Sequence, residues 1–287
     1  MIMNLNLKTK IFLDSGNPQD TQTALDMIGF LDGQTTNPSL IAKNPQMQEQ
    51  KQAKGKLSEQ EVYGFYKTVI EQIHSLISGK SVSIEVAADE TTSSEHMLAQ
   101  AKVMGQWIPS AHMKFPTTPE GLKAAHAFIK QGGRVNMTLV FSQDQAAAIH
   151  LATLGAPKGS VYVSPFIGRL DDQGKNGMDL IKNILQMYKE QNSHVEVLAA
   201  SIRSLDHMTH CLSLNVDRIT APLSVLIEWK NNSFPVSATS QSEKKLEPIS
   251  FESIDFSQSW ENMNLQHELT SAGLKKFAQD WNALLGL

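Results

Sequence analysis

Residues 111–140 read AHMKFPTTPEGLKAAHAFIKQGGRVNMTLV, and this stretch decides the fold. Two short apolar runs, 111–115 and 134–140, bracket a segment with helical spacing. That middle segment, 119–131, opens with Pro119 in its first turn and closes just before Gly132-Gly133, the residue types that start and stop helices. Strand, helix and strand in this order form one βα repeat returning to a parallel sheet.

The same alternation extends in both directions. Further β runs are read at 11–14 (IFLD), 33–36 (GQTT), 82–86 (VSIEV), 160–166 (SVYVSPF), 195–201 (VEVLAAS) and 217–221 (DRITA), with helix-like stretches between them. Eight runs in one chain of 287 residues predict an α/β protein, a closed (β/α)8 TIM barrel. An open doubly wound sheet is the runner-up, but no G-x-G-x-x-G follows the first run, so the dinucleotide fingerprint is missing.

Two segments stand outside the repeat. Residues 44–60 are polar and rich in Gln and Lys, which predicts an exposed helix or loop between the second and third strands. Residues 231–250 have little periodicity and read as a linker. Beyond them Leu274, Phe277, Trp281 and Leu284 fall three or four apart, the spacing of an amphipathic helix. The expected organisation is a barrel over 1–230, then a linker and C-terminal helical extension over 231–287 that packs on the barrel and is not an independent domain.

Composition narrows the function classes. A net charge of -4 with both signs spread along the chain offers no basic stripe for nucleic acid. The opening MIMNLNLKTKIFLD lacks the apolar core and cleavage site of an export signal, and no run approaches the ~18 apolar residues of a membrane span. We therefore expect a cytoplasmic protein with no nucleic-acid or membrane partner. The single cysteine, Cys211, lies in HMTHCLSL and reads as a buried structural thiol, in keeping with a reducing compartment.

In such barrels the chemistry gathers at the C-terminal strand ends, where inward side chains recur with period two. Asp14, Ser83, Glu85, His112, Lys114, Asn136, Thr138, Ser164, Phe166, Ser201 and Arg203 satisfy that pattern. Each has a plainer explanation. Asp14 in LDSGNPQD could be a turn or cap residue, and Asn37 before Pro38 a helix cap. Glu85 and Lys114 could be a lone buried ion pair, Arg169 and Arg203 ordinary surface arginines, and His112 a structural residue. The histidines show no metal-ligand spacing. What argues for a site is the set, because one lysine, two carboxylates and several hydroxyls and amides at one mouth are too polar for core alone.

The set also suits one chemistry. A lysine enclosed in a dry barrel is penalised for its charge, which favours the neutral amine that attacks a ketone. The iminium so formed is an electron sink that allows the bond between the third and fourth carbons of a ketose to break. Cleavage needs a base on the C4 hydroxyl, for which Asp14 is suited. Imine formation needs a second proton shuttle, for which Glu85 and a water held by Thr138 are suited. Arg169 and Arg203, with Ser201, could grip a phosphate.

The segments FLDSG, DGQTTNPSLIAKNP, VSIEV, MKFPTTPEGLKA, VNMTLVFSQDQA, VSPFIGRLDD and AASIRS, in order over residues 11–229, closely resemble the transaldolase family of class I, Schiff-base-forming enzymes. The resemblance implies a (β/α)8 barrel with the Schiff-base lysine at Lys114 and the acid/base for carbon–carbon cleavage at Asp14. It implies that Glu85 and Thr138 hold the catalytic water, that Asn37, Asn136 and Ser164 bind the dihydroxyacetone unit, and that Arg169, Ser201 and Arg203 grip phosphate. It implies no metal or organic cofactor, sugar phosphates as substrates, and leaves open a homo-oligomer. The C-terminal LQHELTSAGLKKFAQDW resembles a family helix whose first half often covers the mouth of the site.

The implied function is transfer of a dihydroxyacetone unit from fructose 6-phosphate or sedoheptulose 7-phosphate to erythrose 4-phosphate or glyceraldehyde 3-phosphate, a pentose phosphate pathway step. The alternatives are a fructose-6-phosphate aldolase releasing free dihydroxyacetone and a non-catalytic sugar-phosphate-binding barrel. The chain departs from the family pattern in MKFP, with phenylalanine where many short members have an aliphatic residue, and in the 44–60 segment and the extension after residue 230, which make it longer than the short members. Phe166 stands where aldolase-type members carry tyrosine.

Overall fold

The computed structural model describes residues 7–237 and 245–287. Eight parallel strands close into a barrel: β1 (Lys10–Asp14), β2 (Gly33–Thr35), β3 (Ser81–Glu85), β4 (Ala111–Pro116), β5 (Val135–Val140), β6 (Val161–Pro165), β7 (Glu196–Ala199) and β8 (Arg218–Ala221). Pairing of β1 with β8 closes the ring, so the sheet is the expected (β/α)8 barrel and not the open doubly wound runner-up.

The outer layer begins with α1 (Pro18–Ile28), α2 (Pro38–Ala42), α3 (Pro45–Lys54), α4 (Glu59–Leu76), α5 (Ser94–Met104) and α6 (Pro119–Lys130). It continues with α7 (Gln143–Ala152), α8 (Ile167–Asp172), α9 (Gly177–Glu190), α10 (Leu205–Ser213) and α11 (Leu223–Asn231). The C-terminal α12 (Glu268–Leu285) follows an irregular stretch. Among the described residues no helix is long and apolar enough to cross a membrane.

Local chemistry explains these boundaries. Among the described residues α1, α2, α3 and α6 start with proline in the first turn, and side chains such as Asn17, Asn37, Ser58 and Thr118 accept hydrogen bonds from the next turn. Several strands end earlier than their runs suggest. β2 stops at Thr35 because Asn37-Pro38 turn the chain into α2, and β7 stops at Ala199 because Ser201 adopts a φ of 56°. Ser201 and Arg203 therefore lie past β7, not on a strand. Phe166 likewise follows β6, where it pairs with Ala200 as an isolated bridge and precedes α8.

Residues 45–54 form α3, mostly exposed with Met47 buried. Part of the stretch read as a linker, 238–244, lies outside the described residues. Beyond it the chain runs across the helical layer. Asn176 N donates to the Glu247 carbonyl at 2.8 Å, Asn183 Nδ2 to Ile249 at 2.9 Å and Gln143 Nε2 to Ser250 at 2.9 Å. Leu274, Phe277, Trp281 and Leu284 on α12 are all buried. Cys211 is also fully buried, and burial pushes its thiol well above the ordinary range.

The N-terminal end of the barrel is sealed by aromatic packing. His112 stacks on Tyr162 with centroids 4.1 Å apart, and the Arg218 guanidinium lies 4.4 Å from the Tyr162 ring and 5.6 Å from Phe12. Gly33 is required here, since a Cβ would come within 2.5 Å of Phe12 Cζ. His112 Nε2 donates to the Gly159 carbonyl at 2.9 Å, leaving Nδ1 as the acceptor for Ser81 Oγ at 2.8 Å.

Burial pushes His112 from 6.5 down to about 3, so the folded protein holds it neutral. Its contribution to stability is therefore present in full above its unfolded value of 6.5 and is lost as pH falls from there toward about 3. We expect thermal melts to show an acid-side loss of stability beginning near that upper value, on the order of 5 kcal/mol when complete. His112→Gln should flatten this slope. An identical slope in the variant would remove His112 as its source.

Candidate active site

At the opposite end, a cavity of about 280 Å³ opens over the strand ends. The i, i+2 alternation of β4 puts His112 in the sealed floor and Lys114 at the cavity. The register then aligns Glu85 of β3, Lys114 of β4 and Asn136 of β5 in adjacent positions. Lys114 is 4 % exposed and Glu85 2 %, and Nζ lies 2.9 Å from Glu85 Oε2. Glu85 Oε2 is held by this ion pair, which offsets part of the burial cost of its carboxylate. Nζ also donates to the Thr36 carbonyl at 3.2 Å.

Asp14 faces the same cavity from β1. Thr35 Oγ1 donates to Asp14 Oδ1 at 2.7 Å, which commits the Thr35 proton, so Thr220 must be the donor in the 2.6 Å Thr220–Thr35 contact. A chain of hydroxyls thus runs from β8 through β2 to the carboxylate. Burial raises the pKa of Asp14 and of Glu85, and in both the Lys114 ammonium is the main opposing influence. Two carboxylates disposed to carry protons therefore flank one lysine.

Below the cavity Asn136 is fully buried; its Nδ2 donates to Ser83 Oγ at 3.0 Å and its Oδ1 accepts from Ser164 Oγ at 2.7 Å. Thr138 Oγ1 is buried and makes no hydrogen bond among the described residues. Ser164, Phe166 and Asn37 line the cavity itself. Asn37 is also the cap suggested by its sequence, with Oδ1 accepting from Leu40 N at 2.9 Å.

The two arginines differ. Arg169 is half-buried, lying 5.0 Å from the Phe166 ring and 5.5 Å from the Phe277 ring, and among the described residues nothing accepts a hydrogen bond from it. Burial pulls its pKa down, Glu85 opposes this and the Arg203 charge adds to it. Arg203 is half exposed and pairs with Asp172 at 2.5 Å. Both line the cavity with Ser201, so a half-buried and an exposed cation share one wall.

Sequence reasoning missed part of the site. Thr35 and Thr220 obey the same period-two pattern as Asp14, and that signal was open to reading in GQTT and DRITA. Ser39, Lys43, Lys276, Phe277 and Asp280 had no such signal, since α2 and α12 bring them to the rim. Ser39 Oγ donates to Asp280 Oδ2 in a short bond, and Lys276 Nζ donates to Asp280 Oδ1 at 2.6 Å. α12 lies so close that a methyl at Gly273 would collide with Arg169 Nη1 and Leu139. Among the described residues no group of three or more His, Cys, Asp and Glu could hold a metal ion.

Comparison with known proteins bears on this arrangement. A family model described as Transaldolase/Fructose-6-phosphate aldolase matches residues 11–287. The chain is 33% identical over 275 residues to a protein of Dehalococcoides mccartyi named "Probable transaldolase", covering 96% of this chain and 99% of that one. It is 33% identical over 273 residues to a protein of the same name from Geobacillus kaustophilus, covering 95% and 98%. Among solved structures, the 3-hexulose-6-phosphate synthase from Salmonella typhimurium aligns with a TM-score of 0.50 at 10% identity, over 79% of this chain and 100% of that one, a likeness of fold alone.

Proposed function

Because this chain belongs to the transaldolase/fructose-6-phosphate aldolase family, we propose that it is a cytoplasmic transaldolase moving a dihydroxyacetone unit between sugar phosphates through an imine on Lys114. The observation that carries this reading is the burial of Lys114 between Glu85 and Asp14 under a cavity walled by Arg169.

Neutral Lys114 Nζ adds to the C2 carbonyl of fructose 6-phosphate, and loss of water leaves an iminium. Glu85 moves the protons of this step through a water, for which the buried Thr138 Oγ1, with no hydrogen bond of its own, supplies an acceptor beside the carboxylate. Asp14 then takes the C4 hydroxyl proton, the C3–C4 electron pair flows into the iminium, and glyceraldehyde 3-phosphate leaves. The remaining enamine attacks the aldehyde of erythrose 4-phosphate, Asp14 returns its proton, and hydrolysis frees sedoheptulose 7-phosphate and the lysine. Asn37, Asn136 and Ser164 hold the dihydroxyacetone hydroxyls. Arg169, with Ser201 and Arg203, takes the phosphate, and the partly buried Arg169 carries most of that interaction. This assignment places the reaction among the non-oxidative interconversions of pentose phosphates.

Phe166 supports transfer over release. It lines the cavity beside Ser164 and under Arg169, and its ring has no hydroxyl to move a proton or orient water for imine hydrolysis. We expect rapid turnover with fructose 6-phosphate plus erythrose 4-phosphate, and little glyceraldehyde 3-phosphate beyond one turnover from fructose 6-phosphate alone. Phe166→Tyr should raise the donor-only rate and lower transfer. Steady donor-only turnover matching transfer in the unmodified protein would refute the transferase reading in favour of an aldolase, and no turnover in either assay would leave a binding barrel.

A further inference from the structure

We propose that Tyr66 of α4, outside the cavity, is a positioning residue for the Lys114–Glu85 pair and that it links this pair to the docking of α12. The proposal rests on the imine chemistry assigned to Lys114.

Parallel pairing of β2 with β3 sets Thr35 opposite Ser83, and Thr36 N donates to the Ser83 carbonyl at 3.0 Å. One more step of that ladder would give the Glu85 N–H to the Thr36 carbonyl. The chain departs from this. The Tyr66 hydroxyl takes the Glu85 N–H at 3.0 Å, and the Thr36 carbonyl is left to accept from Lys114 Nζ at 3.2 Å. Tyr66 therefore releases for the lysine an acceptor that the sheet would otherwise consume.

The hydroxyl has one orientation available. Thr36 Oγ1 donates to the Ser83 carbonyl at 2.8 Å, so its proton is committed, and Tyr66 must donate in the 2.8 Å contact with Thr36 Oγ1. The Tyr66 oxygen thus accepts from Glu85 and donates to Thr36, tying the two residues that contact Lys114 Nζ. Burial pushes the Tyr66 phenol well above its ordinary range, which keeps the donated proton in place.

The ring transmits the position of α12. Tyr66 packs 5.5 Å from Trp107 and 6.1 Å from Trp281, and Trp281 also meets Tyr63 at 5.2 Å. One turn earlier on α12, Phe277 lines the cavity beside Arg169. A shift of α12 at the cavity rim is therefore felt by the ring whose hydroxyl sets the catalytic pair. The Tyr63 hydroxyl, by contrast, donates to Gln100 Oε1 at 2.9 Å and makes no contact with the pair.

The test compares Tyr66→Phe, Tyr63→Phe and Trp281→Phe in the full chain, measuring kcat and KM with fructose 6-phosphate and erythrose 4-phosphate. The rate of borohydride-trapped imine with fructose 6-phosphate is measured in parallel. Tyr66→Phe should lower kcat and the trapping rate together on the order of 10- to 100-fold, with KM little changed, as expected for misplacement of reacting groups. Trp281→Phe should fall in the same direction by less, and Tyr63→Phe should leave both rates unchanged.

If the unmodified protein traps at Lys114 while Tyr66→Phe traps as fast, the positioning role is overturned and the imine reading stands. Equal losses in Tyr66→Phe and Tyr63→Phe would also overturn it, since they would show that losing either α4 hydroxyl suffices, whether or not it meets the pair. Should Tyr66→Phe fail to fold, an unchanged trapping rate in Trp281→Phe decides against the link. No trapping in the unmodified protein defeats the imine reading itself, and the positioning role falls with it.

Discussion

Lys114→Met is expected to lower transfer activity by on the order of 10⁴-fold or more, because it removes the nucleophile of the proposed imine mechanism. In the unmodified protein, borohydride with fructose 6-phosphate should attach a three-carbon unit at Lys114, readable by mass spectrometry of the peptide that carries it. The variant should take no label. The fold should survive the change, since the methionine chain occupies much the same space. Glu85, whose pKa burial already raises, can meet the loss of its counter-charge by binding a proton. Labelling at any other lysine of the unmodified protein would overturn the mechanism, and loss of a cooperative melt in Lys114→Met would show the ion pair to be structural first.

The second large effect separates the two carboxylates. Asp14→Ala should slow turnover by roughly 10²- to 10⁴-fold while leaving imine formation fast, so that the donor imine accumulates and is trapped in high yield. Glu85→Gln should act one step earlier and slow the appearance of trapped imine itself. The geometry supports this order. Glu85 touches Lys114 Nζ from the buried side, at 2.9 Å, whereas Asp14 faces the cavity, where the C4 hydroxyl would lie. Asp14 is also fed by the Thr220–Thr35 hydroxyl chain, which can adjust as its charge changes. Equal trapping rates in the two variants would show that the roles are not divided in this way.

Much of this arrangement was legible in short segments. Proline and capping residues mark the helix starts because they act on groups only a few residues away, and 119–131 was bounded this way to within one residue of α6. Charged residues in apolar strands mark positions where burial demands a reason, and Glu85 and Lys114 are such positions. Their adjacency followed once β3 and β4 were taken as neighbours in a barrel. Less was legible where several roles converge on one residue type. Asn37 is both a helix cap and a cavity residue, and the sequence pattern is the same for either.

By itself the sequence determined the repeating unit and the facing of its inward side chains, because period two and helix capping are local constraints read within a few bonds, whereas closure of the ring rests on the pairing of β1 with β8. It did not determine which partners those side chains meet. That Lys114 donates to the Thr36 carbonyl depends on β2 ending one residue before it, and on a tyrosine arriving from α4. That Arg169 is half-buried against Phe277 while Arg203 stays exposed depends on where α12 lies across the rim. The Ser39–Asp280 bond joins residues 241 positions apart, a separation over which no periodicity carries information. Such contacts are decided only when the barrel closes and α12 settles on it, since burial and hydrogen-bond choice follow from distances in space and not along the chain.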